Sequence, residues 1–111
     1  MDREVLLEHF RKTHFAPGNR GKARTDARAI ARFLKDSFGA RVIGIGSAFA
    51  GERRFRPDSD IDLVVDGLPP EHFFAAGARA SEMTQFAVDL IPLESATEAL
   101  RAVVEEEGVE L

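Results

Sequence analysis

The sequence predicts an α/β or α+β domain in which a small mixed sheet is covered by helices. Segments with helical periodicity alternate along the chain with three short apolar segments, at 40–47, 61–66 and 86–92, and each of these ends within one residue of a glycine or proline. The chain has 111 residues, most simply one domain. We expect N-terminal helices over residues 1–40 and the core of the domain over residues 41–111.

Four helices are predicted from apolar spacing and from capping residues. Asp2 can cap the first, and a second spans Lys22–Phe38, where apolar residues recur at three- and four-residue steps. A third is expected near Glu71–Met83, after two prolines. The fourth begins at the S-x-x-E capping box formed by Ser95 and Glu98. The final "VEL" is expected to form a last edge strand.

The composition is that of a soluble globular protein, with 44% hydrophobic and 31% charged residues. No stretch approaches the length of a membrane span, and the start "MDREVLLEHF" lacks the basic-then-apolar order of a signal peptide, so we expect a cytoplasmic protein that does not interact with membranes. The absence of cysteine excludes disulfides and thiolate metal sites. A net charge of −4 is too small to predict a polyanionic partner, and no direct binding to nucleic acid is expected.

Basic residues are concentrated in the N-terminal part of the chain. Asp26 is the single acidic residue in a segment that contains seven basic ones, namely Arg11, Lys12, Arg20, Lys22, Arg24, Arg28 and Arg32. A solvated helix face explains such a run, and a basic face near a phosphate site or a partner is the alternative.

Two aspartates, Asp60 and Asp62, stand one residue apart at the start of the predicted strand "IDLVVD". Because side chains alternate along a strand, both carboxylates project from one face. Two like charges so close raise a pKa unless a cation lies between them, and Mg²⁺ prefers one or two carboxylates together with substrate phosphates. The alternative is that Asp60 caps the turn "PDSD" and Asp62 faces water.

A third carboxylate, Asp89, interrupts the apolar segment "FAVDLIP", where it is costly unless paired or bound to a cation. If this segment lies beside "IDLVVD", Asp89 can join Asp60 and Asp62 as a third ligand. Three carboxylates are enough for two metal ions.

The segment "GSAFAGERRFR" adds groups that suit a phosphate. Gly46 allows a sharp turn at the end of a strand, and the Ser47 hydroxyl with neighbouring amides, at the start of a short helix expected from Ala48, can hold an anion. Three arginines follow that could neutralise phosphate charge: Arg53, Arg54 and Arg56. For Phe49 and Phe55, buried packing is favoured over stacking on a nucleobase.

Glycine-serine, the D-x-D pair and a strand-embedded aspartate, in this order, resemble the nucleotidyltransferases of the DNA polymerase beta superfamily. The sequence is most similar to the minimal, stand-alone members encoded beside a HEPN-domain protein. The resemblance spans residues 42–111 and includes the ending "VDLIPLESATEALRAVVEEEGVEL". It implies a polymerase-beta-like nucleotidyltransferase fold, with residues 41–111 as the catalytic core.

The resemblance also implies roles for individual residues. Gly46 and Ser47 would bind phosphate, and Asp60 and Asp62 would hold two Mg²⁺ ions on the nucleotide's phosphates. Asp89 would complete the site and help to deprotonate the acceptor hydroxyl. The implied substrate is ATP or another nucleoside triphosphate, and the implied acceptor is a tyrosine of a HEPN toxin. Transfer of AMP to this tyrosine would neutralise the toxin, making the chain an antitoxin.

The chain departs from the family at one place, since Ala48, Phe49 and Ala50 follow the serine where the family often has a basic residue. Arg53, Arg54 or Arg56 could replace that base. Triphosphate binding is the property that this departure puts in question.

Two other functions stay open from the sequence. The chain could be a non-catalytic antitoxin that binds nucleotide and inhibits its partner by forming a complex. It could also modify a small molecule, which would need a cleft between the subunits of a homo-oligomer. The sequence contains no tyrosine, so tyrosine self-modification is excluded.

Overall fold

The computed structural model describes residues 19–50, 54–56 and 58–111. These residues form three α-helices, four strands and two short 3₁₀ helices, at Pro70–His72 and Leu93–Ser95. In chain order the helices and strands are α1 (Arg20–Phe38), β1 (Arg41–Ile45), β2 (Ile61–Asp66), α2 (Phe73–Glu82), β3 (Val88–Pro92), α3 (Glu98–Glu107) and β4 (Val109–Glu110). The predicted alternation is confirmed over this part of the chain. The helix predicted after Asp2 lies outside the described residues.

The four strands form one mixed sheet in the order β3-β2-β1-β4. β1 pairs antiparallel with both β2 and β4, whereas β2 and β3 run parallel. The predicted last strand therefore lies at one edge, and β3 lies at the other. The parallel pair brings the starts of β2 and β3 to the same end of the sheet.

Helices cover both faces of this sheet. On one face, α1 buries Ala27, Ile30 and Leu34 in a cluster that includes Leu63 and Leu90 of the sheet, and α2 contributes Ala76 and Ala80 to the same cluster. On the other face, Ile43, Ile45 and Val64 pack with Ile91 and with the α3 residues Leu100, Val103 and Val104. The alternation of side chains along each strand supplies both clusters.

Two helix starts differ from the sequence prediction. α1 begins at Arg20, because the Asn19 side chain caps it by accepting a hydrogen bond from Lys22 N. α3 is capped by Thr97, whose Oγ1 accepts from Leu100 N at 3.2 Å, so the predicted cap at Ser95 is wrong. Ser95 instead closes a 3₁₀ helix, after which the chain is extended as far as Thr97. Within the described residues, none of the helices combines the length and apolarity needed to cross a bilayer.

Candidate active site

The three predicted carboxylates lie at the end of the sheet where β2 and β3 begin. Asp62 on β2 is the direct partner of Asp89 on β3, as expected if these strands are neighbours. On its other side, Asp62 pairs with Ile45, the last residue of β1. Asp60 precedes β2 by one residue. The sheet therefore places Asp62 between Asp89 and the turn that follows β1.

The carboxylates share the face that is covered by α3, since Asp62 and Asp89 alternate with the apolar residues of the opposite face. Asp62 is half-buried, and Asp60 and Asp89 are exposed. The prediction that Asp89 occupies an apolar, costly position is wrong, because β3 is an edge strand and its side chain reaches solvent. Accessibility of this kind is what a site for a nucleotide and an acceptor requires.

The electrostatics of the cluster favour a cation. Burial raises the pKa of the Asp62 carboxyl above its ordinary value, and the negative charges of Asp60 and Asp89 raise it further. The ionised form of Asp62 is thus disfavoured in the protein alone. A positive ion among these groups would offset that cost.

Gly46 joins the turn after β1 to the carboxylate cluster. Its φ of 78° lies in the left-handed region, and a Cβ atom at this position would stand 2.6 Å from Asp62 Oδ2. Only glycine fits there without moving the carboxylate or straining the backbone. The Gly46 carbonyl accepts from the N–H groups of Phe49 and Ala50, at 3.0 and 2.8 Å, and closes the turn. Ser47, half-buried, is the next residue of this turn.

The residues after Ser47 are structural. Ala48 and Phe49 are buried, and a Cβ atom on Gly44 would lie 2.5 Å from the Phe49 ring, so the ring packs directly over β1. Phe55 is also buried and meets Phe86 edge-on, with centroids 5.7 Å apart. Buried packing of Phe49 and Phe55 is therefore confirmed.

The short helix expected from Ala48 is not present at residues 47–50. The structure instead has a turn at 47–49, and one i to i+4 hydrogen bond, from Ala50 N to Gly46 O, holds it. We call residues 46–50 the GSAFA turn.

Two arginines of α1, which the sequence analysis did not assign to the site, donate hydrogen bonds to backbone carbonyl groups of the GSAFA turn. Arg20 Nε donates to Ser47 O at 3.1 Å. Arg24 Nε donates to Ala48 O at 2.7 Å, and its Nη2 donates to Phe49 O at 3.3 Å. The available signal was the basic run in this helix, in which these two residues stand four apart and so share a face.

The structure describes two of the three arginines that were predicted to bind phosphate. Arg53 lies outside the described residues. Arg54 and Arg56 are exposed in the segment that leads to β2, where Arg56 N donates to Ser59 Oγ at 2.9 Å. Their role in phosphate binding stays a prediction.

No group of three or more histidine, cysteine, aspartate or glutamate side chains in the described part of the chain is arranged to hold a metal ion. The donor chemistry nevertheless suits Mg²⁺, which commonly takes one or two carboxylates and completes its shell with water and substrate phosphates. The adjacent pair Asp62 and Asp89 meets that smaller requirement.

Two cavities flank β3 and differ in their relation to the carboxylates. The smaller, of about 280 Å³, lies between α2 and β3 and is lined by Asp89 together with Gly77 and Ser81. The larger, of about 610 Å³, lies beyond the other end of β2 and β3 and contains none of the three aspartates. Of these two cavities, the smaller one reaches the candidate site, through Asp89.

Comparisons with known proteins agree with this architecture. No protein-family model and no curated protein matches the sequence. Among solved structures, a toxin–antitoxin complex with AMP-PNP contains a similar chain, with a TM-score of 0.64 and 24% identity over 76% of this chain and 70% of that one. A doubly substituted variant of the MntA–HpeT toxin–antitoxin complex gives a TM-score of 0.61 and 21% identity, over 76% and 70% of the two chains.

A third similar structure is a complex of an MNT antitoxin with a tri-AMPylated HEPN toxin from Shewanella oneidensis. Its TM-score is 0.59, with 22% identity over 79% of this chain and 70% of that one. The fold of this chain is thus similar to that of chains in solved toxin–antitoxin structures, and the predicted resemblance to minimal nucleotidyltransferases is confirmed at the level of the fold.

Proposed function

We propose that the chain is a Mg²⁺-dependent nucleotidyltransferase that transfers AMP from ATP to a hydroxyl group of a HEPN toxin and thereby acts as an antitoxin. The observation that carries this proposal is the contact between the GSAFA turn and the carboxylates. Gly46 leaves no room for a side chain beside Asp62, and Asp62 lies next to Asp89. A candidate phosphate site and a candidate cation site are therefore immediate neighbours.

The solved relatives support the nucleotide and the partner in this proposal. One of them contains AMP-PNP, and another contains an AMPylated HEPN toxin bound to an MNT antitoxin. ATP is accordingly the nucleotide that we propose here. A HEPN toxin is the acceptor that we propose.

Asp62 and Asp89, with Asp60 beside them, would hold Mg²⁺ against the phosphates. The bound ion would neutralise the negative charge that is spread over the triphosphate during transfer. The raised pKa of Asp62 supports this assignment, because a cation would offset the cost that burial and the charges of Asp60 and Asp89 impose on the ionised Asp62 carboxylate.

The residues of the chain would divide the reaction between them. Ser47, through its hydroxyl and backbone N–H, would orient the triphosphate. The exposed carboxylate of Asp89 would accept the proton of the acceptor hydroxyl, whose oxygen forms a bond to the α-phosphorus. The bond from this phosphorus to the oxygen bridging to the β-phosphate breaks, and pyrophosphate leaves.

The test is to incubate the chain and its HEPN partner with ATP labelled at the α-phosphate, with and without Mg²⁺. We expect label on the partner in wild type and a loss of at least about 100-fold in Asp62→Asn, because transfer of this kind depends on charge neutralisation. Asp66→Asn is the matched control, since Asp66 lies on the same strand at its other end. Equal labelling by wild type and Asp62→Asn would contradict the proposal.

A non-catalytic antitoxin is the second candidate. One observation favours it: Asp60 and Asp89 are exposed, so keeping them without use costs little. The two candidates differ in how protection from the toxin depends on Asp60 and Asp62. Protection that survives Asp60→Asn and Asp62→Asn in a growth assay supports inhibition by complex formation, and loss of protection with the complex still formed supports catalysis.

A further inference from the structure

Three successive carbonyl groups of the GSAFA turn, those of residues 47–49, point to arginines of α1. Arg20 donates to the first, and the guanidinium of Arg24 donates to the second and third, with the 2.7 Å contact to Ala48 O the shortest. Charged donors of this kind form hydrogen bonds about twice as strong as neutral pairs. The turn is therefore held by side chains of another element, from residues 24 to 27 positions away in the sequence.

The turn has no positive charge of its own. Its five residues are Gly46, Ser47, Ala48, Phe49 and Ala50. Position 48 is completely buried, and Phe49 is held over Gly44, so neither position could present a basic side chain to a ligand. Among the described residues, Arg20 and Arg24 of α1 bring positive charge into contact with the backbone of this turn.

The helix itself is well placed to hold the two guanidinium groups still. Ala23 and Ala27 are buried against the sheet, and the side chain of Asn19 caps the first turn of the helix. Arg24 is part-buried where it meets the carbonyl groups. An arginine in such a position loses little further side-chain entropy when a ligand binds.

We propose that Arg20 and Arg24 are positioning residues for nucleotide binding. They fix the peptide groups that present Ser47, and they place two positive charges against the backbone of a turn whose own five residues carry none. This inference rests on the proposed function, since the anion that it concerns is the nucleotide. Arg24, whose guanidinium donates to two carbonyl groups of the turn, is the residue at which the inference is tested.

Substitutions at Arg24 separate the charge from the hydrogen bonds. Arg24→Gln keeps a donor without charge, Arg24→Lys keeps the charge with a single donating group, and Arg24→Ala removes both. Arg28→Ala is the matched control, because Arg28 is exposed one turn further along α1. Binding of AMP-PNP with Mg²⁺ is measured by calorimetry, and KM for ATP and kcat are measured in the labelling reaction.

We expect Arg24→Ala and Arg24→Gln to bind AMP-PNP roughly tenfold more weakly, as for loss of one interaction with a charged group. KM should rise by a similar factor with little change in kcat. Arg24→Lys should recover most of the affinity, and Arg28→Ala should bind as wild type does. Amide exchange at Phe49 and Ala50, whose N–H groups close the turn, should accelerate in Arg24→Ala and not in Arg28→Ala.

The outcomes distinguish this inference from the proposed function. If wild type does not bind AMP-PNP, the proposed function fails and the inference fails with it. If wild type binds and all Arg24 variants bind equally well, the inference alone is overturned, even where amide exchange shows a looser turn. A drop in kcat at unchanged KM would overturn it too, because that pattern belongs to a residue acting on the chemical step.

Discussion

The pKa values of carboxyl groups at the two ends of the parallel β2–β3 pair are shifted in opposite directions. At the start of the strands, burial and the charges of Asp60 and Asp89 raise the pKa of Asp62. Beyond the end of the strands, Gly67 N donates to Glu94 Oε1 at 2.6 Å, and this bond is the main reason that the pKa of Glu94 is lowered. The surroundings therefore stabilise the negative charge of Glu94 and destabilise that of Asp62.

This difference distinguishes a carboxylate that stabilises the fold, Glu94, from one that is suited to binding a cation, Asp62. The Glu94 carboxylate satisfies a backbone N–H and so contributes to the stability of the protein alone. The Asp62 carboxylate stands beside two like charges and a glycine that makes room for it. A cost of this kind is typical of functional sites. Removing the negative charge of Asp62 and that of Glu94 should therefore have effects of opposite sign on stability.

The largest effect is expected for Gly46→Ala. A Cβ atom at this position would stand 2.6 Å from Asp62 Oδ2, and the backbone φ of 78° is unfavourable for alanine. Transfer of label should be lost, and the free energy of unfolding should fall by about 2 kcal/mol or more. Both are measured, the first with labelled ATP and the second by urea denaturation.

Gly39→Ala is the control for backbone strain. Gly39 has a φ of 66°, and a Cβ atom there would meet nothing within 4 Å. This variant should lose about 1–2 kcal/mol from the backbone alone and should keep its transfer activity. Equal losses of activity in the two variants would mean that the contact between Gly46 and Asp62 has no functional importance.

The next effect concerns Asp62→Asn without metal. Removal of the charge relieves the cost of burying it and the repulsion from Asp60 and Asp89, so in EDTA we expect Tm to rise by about 1–3 °C. Excess Mg²⁺ should raise the Tm of wild type and have less effect on the variant. Scanning calorimetry in both buffers measures this. A lower Tm for Asp62→Asn in EDTA would show that the carboxylate stabilises the fold, contrary to the comparison.

The sequence predicted the elements of the fold better than their relations in space. Apolar periodicity placed the helices and strands because it is a local property, and the neighbouring positions of Asp62 and Asp89 followed once two strands were assumed to pair. The exposure of Asp89 did not follow, since it depends on β3 being an edge strand. Strand order is set by packing of the whole chain.

The remaining errors, at α3 and at the GSAFA turn, have different origins. Ser95 and Thr97 both suit a helix cap, and the 3₁₀ helix before α3, not the local pattern, decides in favour of Thr97. The hydrogen bonds of Arg20 and Arg24 to the GSAFA turn join segments that are far apart in sequence. A spacing rule within one segment cannot predict contacts of this range. The basic run therefore indicated a positively charged helix face but not the turn that it contacts.

The smallest effect is expected at the other end of the strands. The pKa of Glu94 is lowered from its ordinary value of 4.5, so the bond to Gly67 N stabilises the protein above that value, and the stabilisation is lost as the pH falls through the lower, folded-state pKa. Glu94 is exposed, which screens the interaction. Glu94→Gln should therefore lower Tm at pH 7 by no more than about 2 °C.

The difference in Tm between wild type and Glu94→Gln should depend on pH. The Tm difference between wild type and Glu94→Gln should shrink steadily as the pH is lowered below 4.5, because protonation removes from wild type the charge that the variant already lacks. Glu105→Gln, an exposed change on α3, is the control and should show no such loss. A Tm difference that grows at low pH would mean that Glu94 is stabilised in its protonated form. The two ends of β2 and β3 would then not differ in the way that the geometry at Gly67 and Gly46 indicates.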